Sequence, residues 1–118
     1  MSKKPRKKTL KAKCDKLWSE IVRSRGRCER CGGTSNLQAA HIESRRFVST
    51  RHDLDNGICL CAGCHHRAHN RPTEFTLWLV DYKGREFLEE LHSRNEPTYG
   101  KFDYEVTYEK LRKLSSGG

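Results

Sequence analysis

The stretch of sequence that determines the fold is residues 56–69, which reads NGICLCAGCHHRAH. It contains a Cys-x-x-Cys pair, Cys61 and Cys64, and a second such pair, Cys28 and Cys31, stands earlier in the chain. A gap of two residues lets one turn present both sulfurs, and four thiolates satisfy tetrahedral zinc. Four thiolates leave no position for water, so we expect a structural zinc that stabilises the fold.

Two alternatives exist for these cysteines. With His65, the pair Cys61 and Cys64 completes a Cys-x-x-Cys-His run, which is the attachment motif of c-type haem and would indicate an electron carrier. That chemistry belongs to exported proteins, whereas the sequence starts with no export signal, and haem would leave the other pair without a role. Cys59 alternates with Cys61 along a strand-like run and competes as a ligand, although packing on one face is favoured.

Length, composition and charge predict one small domain that binds a polyanion. The 118 residues are 34% apolar and 33% charged, so the core is small and needs a stabilising cross-link such as a bound metal. Residues 1–27 hold 11 Lys and Arg against 2 Asp and Glu, whereas residues 28–118 hold 13 of each. This local excess favours nucleic acid over a merely solubilising tail. No membrane segment or secretory signal is recognisable, so we expect a protein of the reducing cytoplasm.

The periodicity of apolar residues predicts an α+β fold in three parts. Residues 1–8 are expected to be a disordered basic arm, residues 9–95 the folded domain, and residues 96–118 a C-terminal extension with a flexible tail. Cys14 falls on the apolar stripe of the first helix and is expected in the core. The predicted elements are helices over 9–25, 62–70 and 72–94 (with a stop or bend at Gly84), strands over 37–42 and 58–61, and a turn or two of helix over 109–114.

One asparagine and three histidines form a candidate catalytic constellation. His65 and His69 are four residues apart, so on a helix they share one face and can bind one cation. His41 ends a predicted strand, and Asn56 lies in the turn before the next one. Taken singly, His41 fits an ordinary surface group, Asn56 a turn former, and the histidine pair part of a structural site. Taken together, the four favour catalysis, whereas the remaining His52 and His92 have no partner in the pattern.

The order Cys-x-x-Cys, Ala-His-Ile, Asn, Cys-x-x-Cys-His, x-x-x-His resembles the HNH (His-Asn-His) endonuclease superfamily. The pattern is similar to that of small HNH proteins encoded by bacteriophages, and it covers roughly residues 14–94. His41 and Asn56 are 15 residues apart, and Asn56 and His65 are 9 apart, which fits the compact motif. The helix that follows in such proteins is matched here by Pro72, Glu74, Phe75 and Trp78.

The resemblance implies a zinc-stapled ββα-metal core, flanked by an N-terminal helix and C-terminal helices, that hydrolyses DNA phosphodiester bonds. His41 would be the general base, His65 and His69 would hold a divalent ion, and the amide of Asn56 would orient the region around His41. The expected outcome is nicking or double-strand cleavage with low sequence specificity. The implied setting is a bacteriophage genome in the cytoplasm of a bacterial host, with packaging or recombination proteins as partners.

One position departs from the pattern. Many relatives carry Asp or His directly before the base as a further metal ligand, and here that residue is Ala40. Glu43, Asp55 and His66 remain open as a third ligand. Two imidazoles suit Mn²⁺, Ni²⁺, Co²⁺ or Zn²⁺ better than Mg²⁺, although phosphate oxygens shift the preference toward Mg²⁺. The missing ligand supports an alternative function, a non-catalytic zinc-containing nucleic-acid-binding module.

Basic side chains near the base and in the arm are candidate phosphate contacts. Phosphate contacts carry no sequence information directly, which is why low specificity is expected. The same residues do not distinguish DNA from RNA. The candidates for binding nucleic acid are Arg45, Arg46, Arg51, Lys3, Lys4, Lys7 and Lys8.

Overall fold

The structure, a computed structural model, describes residues 7–95 and 103–116. Within these ranges the chain forms six helices and one two-stranded antiparallel sheet, so the predicted α+β class is confirmed. A single 3₁₀ turn over Leu54–Asn56 precedes the second strand. The elements are α1 (Lys7–Arg23), β1 (Leu37–His41), α2 (Val48–Arg51), β2 (Gly57–Cys61), α3 (Ala62–Asn70), α4 (Pro72–Lys83), α5 (Arg85–Ser93) and α6 (Tyr104–Ser116).

Strands β1 and β2 form a hairpin whose two faces pack against different helices. The register pairs His41 with Gly57 at one end and Leu37 with Cys61 at the other. Because side chains alternate along a strand, the residues of each strand divide between the faces. One face packs against α3 and α4 in a cluster of Cys28, Ala40, Ile58, Leu60, Ala68 and Leu79. The opposite face packs against α1 and α6 in a cluster of Cys14, Trp18, Val22, Cys59 and Leu111.

The C-terminal helix is longer than the sequence pattern predicted. We expected one or two turns over 109–114, but α6 spans Tyr104–Ser116. Asp103 starts the helix, because its carboxylate accepts hydrogen bonds from the backbone N–H groups of Glu105 and Val106. Leu111 is buried against α1, together with Cys14, which the sequence analysis had assigned to the core.

Two other boundaries follow from backbone chemistry. Pro72 occupies the first turn of α4, where its missing N–H costs nothing, and Gly84, with φ of 92°, separates α4 from α5. The short helix α2 was not predicted. It lies in the connection between the strands, where the side chain of Asp53 caps the 3₁₀ turn by accepting from the N–H of Asp55.

The predicted terminal segments fall largely outside the described residues. Residues 1–6 of the basic arm and residues 96–102, 117 and 118 of the extension and tail are not described. Helix α1 begins at Lys7, two residues before the start predicted for the first helix. In the described part of the chain, no helix has the length and apolarity needed to cross a membrane.

Replacing Gly57 should destabilise the fold, since its Cβ position is already occupied. A methyl group there would lie 2.5 Å from Cγ2 of Val22 and 3.1 Å from Cζ2 of Trp18. We expect Gly57→Ala to lower the free energy of unfolding by about 1–3 kcal/mol, measured by urea titration of the zinc-loaded protein. Gly63→Ala is the matched control, because nothing lies within 4 Å of its Cβ position. Equal stability of the two variants would contradict this packing.

Candidate active site and metal centre

The two Cys-x-x-Cys pairs meet in a group suited to tetrahedral zinc. The sulfurs of Cys28, Cys31, Cys61 and Cys64 all lie within 4.8 Å of one another. The sulfurs of Cys31 and Cys61 are 3.7 Å apart, and a tetrahedron with Zn–S bonds of about 2.3 Å separates its sulfurs by about 3.8 Å. Across the described residues, no other group of three or more His, Cys, Asp or Glu side chains converges in this way. The donor set therefore fits a structural zinc.

Backbone geometry prepares both pairs for this role. The first forms a tight turn in which Gly32, with φ of 79°, donates its N–H to the carbonyl of Cys28. In the second, Cys61 is both the last residue of β2 and the N-cap of α3, and its sulfur accepts from the N–H of Cys64 at 3.5 Å. A zinc at this group would thus join the first loop to the strand–helix junction that carries the histidine pair.

Cys59 does not belong to the cysteine group. It is fully buried on the α1 side of the sheet, and its N–H donates to the carboxylate of Glu29 at 2.6 Å. Burial raises the pKa of the Cys59 thiol, which favours the neutral form. The one-face packing expected for this residue is what the structure shows.

Helix α3 brings His65 and His69 together. Their Nε2 atoms lie 3.1 Å apart, and two nitrogens bound at a right angle about 2.1 Å from one cation are about 3.0 Å apart. The Nδ1 of His65 lies 2.7 Å from Oε1 of Gln38, which can only accept. Nδ1 therefore carries the proton and Nε2 keeps its lone pair, as a metal ligand requires. Burial, and then the charge of His69, lowers the pKa of His65.

The pair gains no third ligand from the expected candidates. Among the described residues, neither Glu43, Asp55 nor His66 joins His65 and His69 in a metal-ligating group. Each has a different neighbour: the carboxylate of Glu43 lies 2.7 Å from Nδ1 of His92, that of Asp55 lies 3.0 Å from Arg94, and His66 accepts from Asn70.

The third ligand is missing because position 40, which could supply it from β1, is a buried alanine. It lies on the face of β1 that packs against α3, and it is 4% exposed, in contact with the core cluster that includes Ala68. A side chain at this position points toward the helix that carries the histidine pair. A methyl group therefore occupies the place from which a metal ligand on β1 would approach.

His41 is held at the end of β1 in the orientation that a general base needs. Its Nε2 donates to the backbone carbonyl of Arg51 at 3.0 Å, so the lone pair of the neutral ring is on Nδ1. Its ring stacks on that of Trp18, with centroids 4.0 Å apart. Burial lowers the pKa of His41, and the charges of Arg45 and Arg51 lower it further, against the raising effect of the carbonyl bond. The ring is therefore neutral at physiological pH and available to accept a proton.

Asn56 holds both ends of the connection that follows His41. Its side chain is fully buried, with Oδ1 accepting from the N–H of Glu43 at 2.6 Å and Nδ2 donating to the carbonyls of Glu43 and Thr50. Its backbone carbonyl accepts from the N–H of Ile42. These are the contacts that an asparagine orienting the region around His41 would make.

The basic candidates divide into buried and exposed side chains. Arg51 is 8% exposed, and its guanidinium forms two bonds of 2.7 and 2.8 Å to the carboxylate of Asp15. This pairing leaves no guanidinium for DNA, so the expected phosphate contact of Arg51 is corrected to a structural ion pair. Arg45 and Arg46 are exposed. Lys7 and Lys8 form the start of α1, and Lys3 and Lys4 lie outside the described residues.

Sequence reasoning missed two residues that contact the constellation, Trp18 and Gln38, and one, Asp15, that holds the neighbouring Arg51 and His52. Trp18 and Asp15 lie on α1, where the spacing of apolar residues indicated only a core stripe and a polar side. Gln38 precedes Ala40 by two positions, so strand alternation alone would have placed it on the face toward α3. No sequence signal pairs Asp15 with Arg51, because the two are brought together only by packing of α1 on the connection.

Comparison with known proteins bears on the middle of the chain. Residues 28–71 match the family model described as HNH endonuclease, a segment that begins at the first metal-binding cysteine and includes all three predicted histidines. No curated protein and no solved structure matches the chain. The matched segment contains the hairpin, the four-cysteine group and α3. The match over residues 28–71 therefore supports a relationship of this segment to the HNH endonuclease superfamily.

Proposed function

We propose that the protein is a metal-dependent endonuclease that hydrolyses DNA phosphodiester bonds. The observation that carries the proposal is the state of His41, a neutral ring whose Nε2 is engaged by a carbonyl and whose Nδ1 keeps its lone pair. A base with this arrangement follows directly on the strand position that faces α3 and its histidine pair. A phosphate at this end of the hairpin would lie between the two groups.

The chain's own residues supply proton transfer and orientation. Nδ1 of His41 takes a proton from water as the water oxygen attacks phosphorus in line, and the resulting imidazolium keeps its Nε2 bond to Arg51. Gln38 keeps the Nε2 atom of His65 available by holding the proton of that ring on Nδ1. A divalent cation held by His65 and His69 would polarise the phosphate and stabilise charge on the leaving oxygen.

The catalytic ion is proposed to bind weakly and to exchange. Two imidazoles without a third protein ligand favour Mn²⁺, Ni²⁺, Co²⁺ or Zn²⁺ over Mg²⁺ in the free protein, and substrate phosphate would add oxygen ligands that suit Mg²⁺. The zinc at the four cysteines is a separate ion with a structural role, since its four thiolates leave no open position.

DNA contacts are proposed at the exposed side chains of Arg45 and Arg46 and at lysines of the N-terminal segment. Arg45 and Arg46 flank the connection after His41, and Lys7 and Lys8 begin α1, next to the lysines at positions 3 and 4. Because such contacts read phosphate and not bases, cleavage should have little sequence preference. By the resemblance to bacteriophage-encoded proteins, we place the enzyme in the cytoplasm of a bacterial host, with packaging or recombination proteins as partners.

A non-catalytic nucleic-acid-binding module is the second candidate. The buried methyl group of Ala40 favours it, because the position that faces α3 from β1 offers no ligand. The two candidates differ in whether bound DNA is cut.

Removing the base should abolish cleavage and retain binding. With His41→Ala we expect plasmid nicking in Mn²⁺ to fall at least about 100-fold, while affinity for duplex DNA stays the same. His92→Ala removes an imidazole that is 74% exposed, and we expect it to nick like the wild type. Cleavage by neither the wild type nor His41→Ala, with equal DNA binding by both, would instead establish the non-catalytic module.

The zinc content of two variants should distinguish the metal ligand Cys61 from Cys59, which lies on the same strand but outside the group. Cys61→Ala removes a ligand of the cysteine group, so we expect the purified protein to lose its single zinc and much of its cooperative thermal unfolding. Cys59→Ala removes a buried thiol outside the group and should keep one zinc per chain. Metal analysis of both variants is the measurement. Loss of zinc from Cys59→Ala alone would mean that the ligand set is wrong.

Binding of the second ion should depend on His65 and His69 of α3 and not on the cysteine group. We expect wild-type protein to bind Mn²⁺ in a titration and to release it on dialysis, while zinc at the cysteines stays bound. His69→Ala should weaken Mn²⁺ binding at least about tenfold without changing zinc content, because one of two imidazole ligands is lost. Unchanged Mn²⁺ affinity in this variant would show that the pair is not the ion site.

A further inference from the structure

Helix α1 lies outside the segment that matches the family model, yet its Trp18 stacks on the ring of His41. We propose that Trp18 and Asp15 of α1 are positioning residues for this imidazole: Trp18 fixes the plane of the ring, and Asp15 fixes the carbonyl that receives its Nε2–H. The inference rests on the proposed function for its catalytic consequence, but the geometry of the ring can be measured without any cleavage.

Trp18 is a tethered platform for the imidazole. Its ring is nearly parallel to that of His41, with an interplanar angle of 13° and centroids 4.0 Å apart. The indole is 2% exposed, and its Nε1–H donates to the carbonyl of Asp53 at 2.9 Å, which prevents it from rotating away. A flat, dry surface against one face of His41 keeps water from that face and limits rotation of the imidazole.

Asp15 acts on His41 through the connection between the strands. Its carboxylate binds the buried guanidinium of Arg51 through both oxygens and receives Nε2–H of His52 at 2.6 Å. Two successive side chains are thereby fixed to α1, and the carbonyl between them is the one that accepts from His41. The guanidinium also donates to the carbonyl of Arg45, which links two parts of the connection between the strands.

The carboxylate of Asp15 stays ionised near neutral pH, so its bonds to Arg51 and His52 persist there. Burial alone would raise the pKa of Asp15, but hydrogen bonds from Arg51 and His52, together with the charge of Arg51, outweigh it and hold the pKa at about 2. The side chain of His52 is 2% exposed, and its Nδ1 has no hydrogen-bond partner within the described residues. Burial lowers the pKa of His52, so its ring is neutral and donates to a carboxylate that stays ionised.

The two contacts have separable effects on the base. The charged and titratable groups that act on His41 are Arg45, Arg51 and His52 of the connection, while β2 presents Gly57, which carries no side chain. Removing the indole would let water reach the ring, so the pKa of His41 would rise toward its ordinary value. Removing the carboxylate would loosen the acceptor carbonyl, so Nε2–H would exchange faster with solvent.

The test is a histidine-ring NMR titration of the zinc-loaded full chain, combined with steady-state cleavage of a plasmid in Mn²⁺. In Trp18→Leu we expect the pKa of His41 to rise, and in Trp18→Phe, which keeps a flat ring, to stay near the wild-type value. In Asp15→Asn we expect the Nε2–H signal of His41 to be lost through exchange. Glu20→Gln removes an exposed carboxylate from the same helix and should leave both signals unchanged.

Cleavage gives the second readout. Trp18→Leu and Asp15→Asn should lower kcat about tenfold with KM changed less than twofold, and the acid limb of the rate profile should move to higher pH in Trp18→Leu. An unaltered titration and an unaltered Nε2–H signal in both variants would overturn the proposal. If these variants do not fold, the nuclear Overhauser spectrum of the wild type is the test. The absence of a contact between the rings of Trp18 and His41 would also overturn the proposal. A wild type that shows the ring effects but cuts no DNA would refute the proposed function alone.

Discussion

The convergence of four cysteine sulfurs on one point is the constraint on which the rest of the structure depends. The hairpin has only two strands of five residues each, and the two apolar clusters beside it are small. Such a sheet is marginal by itself, so a cross-link between the first loop and the start of α3 contributes much of what keeps the hairpin and helix together. Because His65 directly follows the last ligand, the cross-link also sets where the histidine pair stands relative to β1.

A second constraint comes from a neutral side chain. Asn56 makes three buried side-chain hydrogen bonds to the backbone on both sides of the connection that leaves β1. The amide itself is fully buried, so leaving its donors and acceptor without partners would be costly. The amide thus shapes the segment whose Arg51 carbonyl receives His41. The four-cysteine group thus fixes the start of the helix that carries the histidine pair, and the asparagine fixes the segment that holds His41.

Much of this could be predicted from sequence, for identifiable reasons. Cysteine spacing predicted the metal centre, and the segment after the second cysteine pair was predicted as a helix at the bounds of α3, because both signals are local. The structure gives Arg51 a role different from the one predicted, since an arginine near a candidate base looks the same in sequence whether it faces solvent or a carboxylate 36 residues away. Helix α6 was predicted too short for two reasons. Its apolar side is buried by contact with the distant helix α1, and its first turn is capped by Asp103, which the spacing of apolar residues does not reveal.

In the proposed reaction, His41 and the pair His65 and His69 act on one phosphate from two sides. The most direct test is a crystal structure of the zinc-loaded protein with Mn²⁺ and a short DNA duplex, with the metals identified by anomalous scattering. We predict Mn²⁺ bonded to both Nε2 atoms of the pair and to a phosphate oxygen, with Nδ1 of His41 within hydrogen-bonding reach of the line of attack. An imidazole of His41 more than about 10 Å from that pair, too far for one phosphate to bridge, would contradict the account.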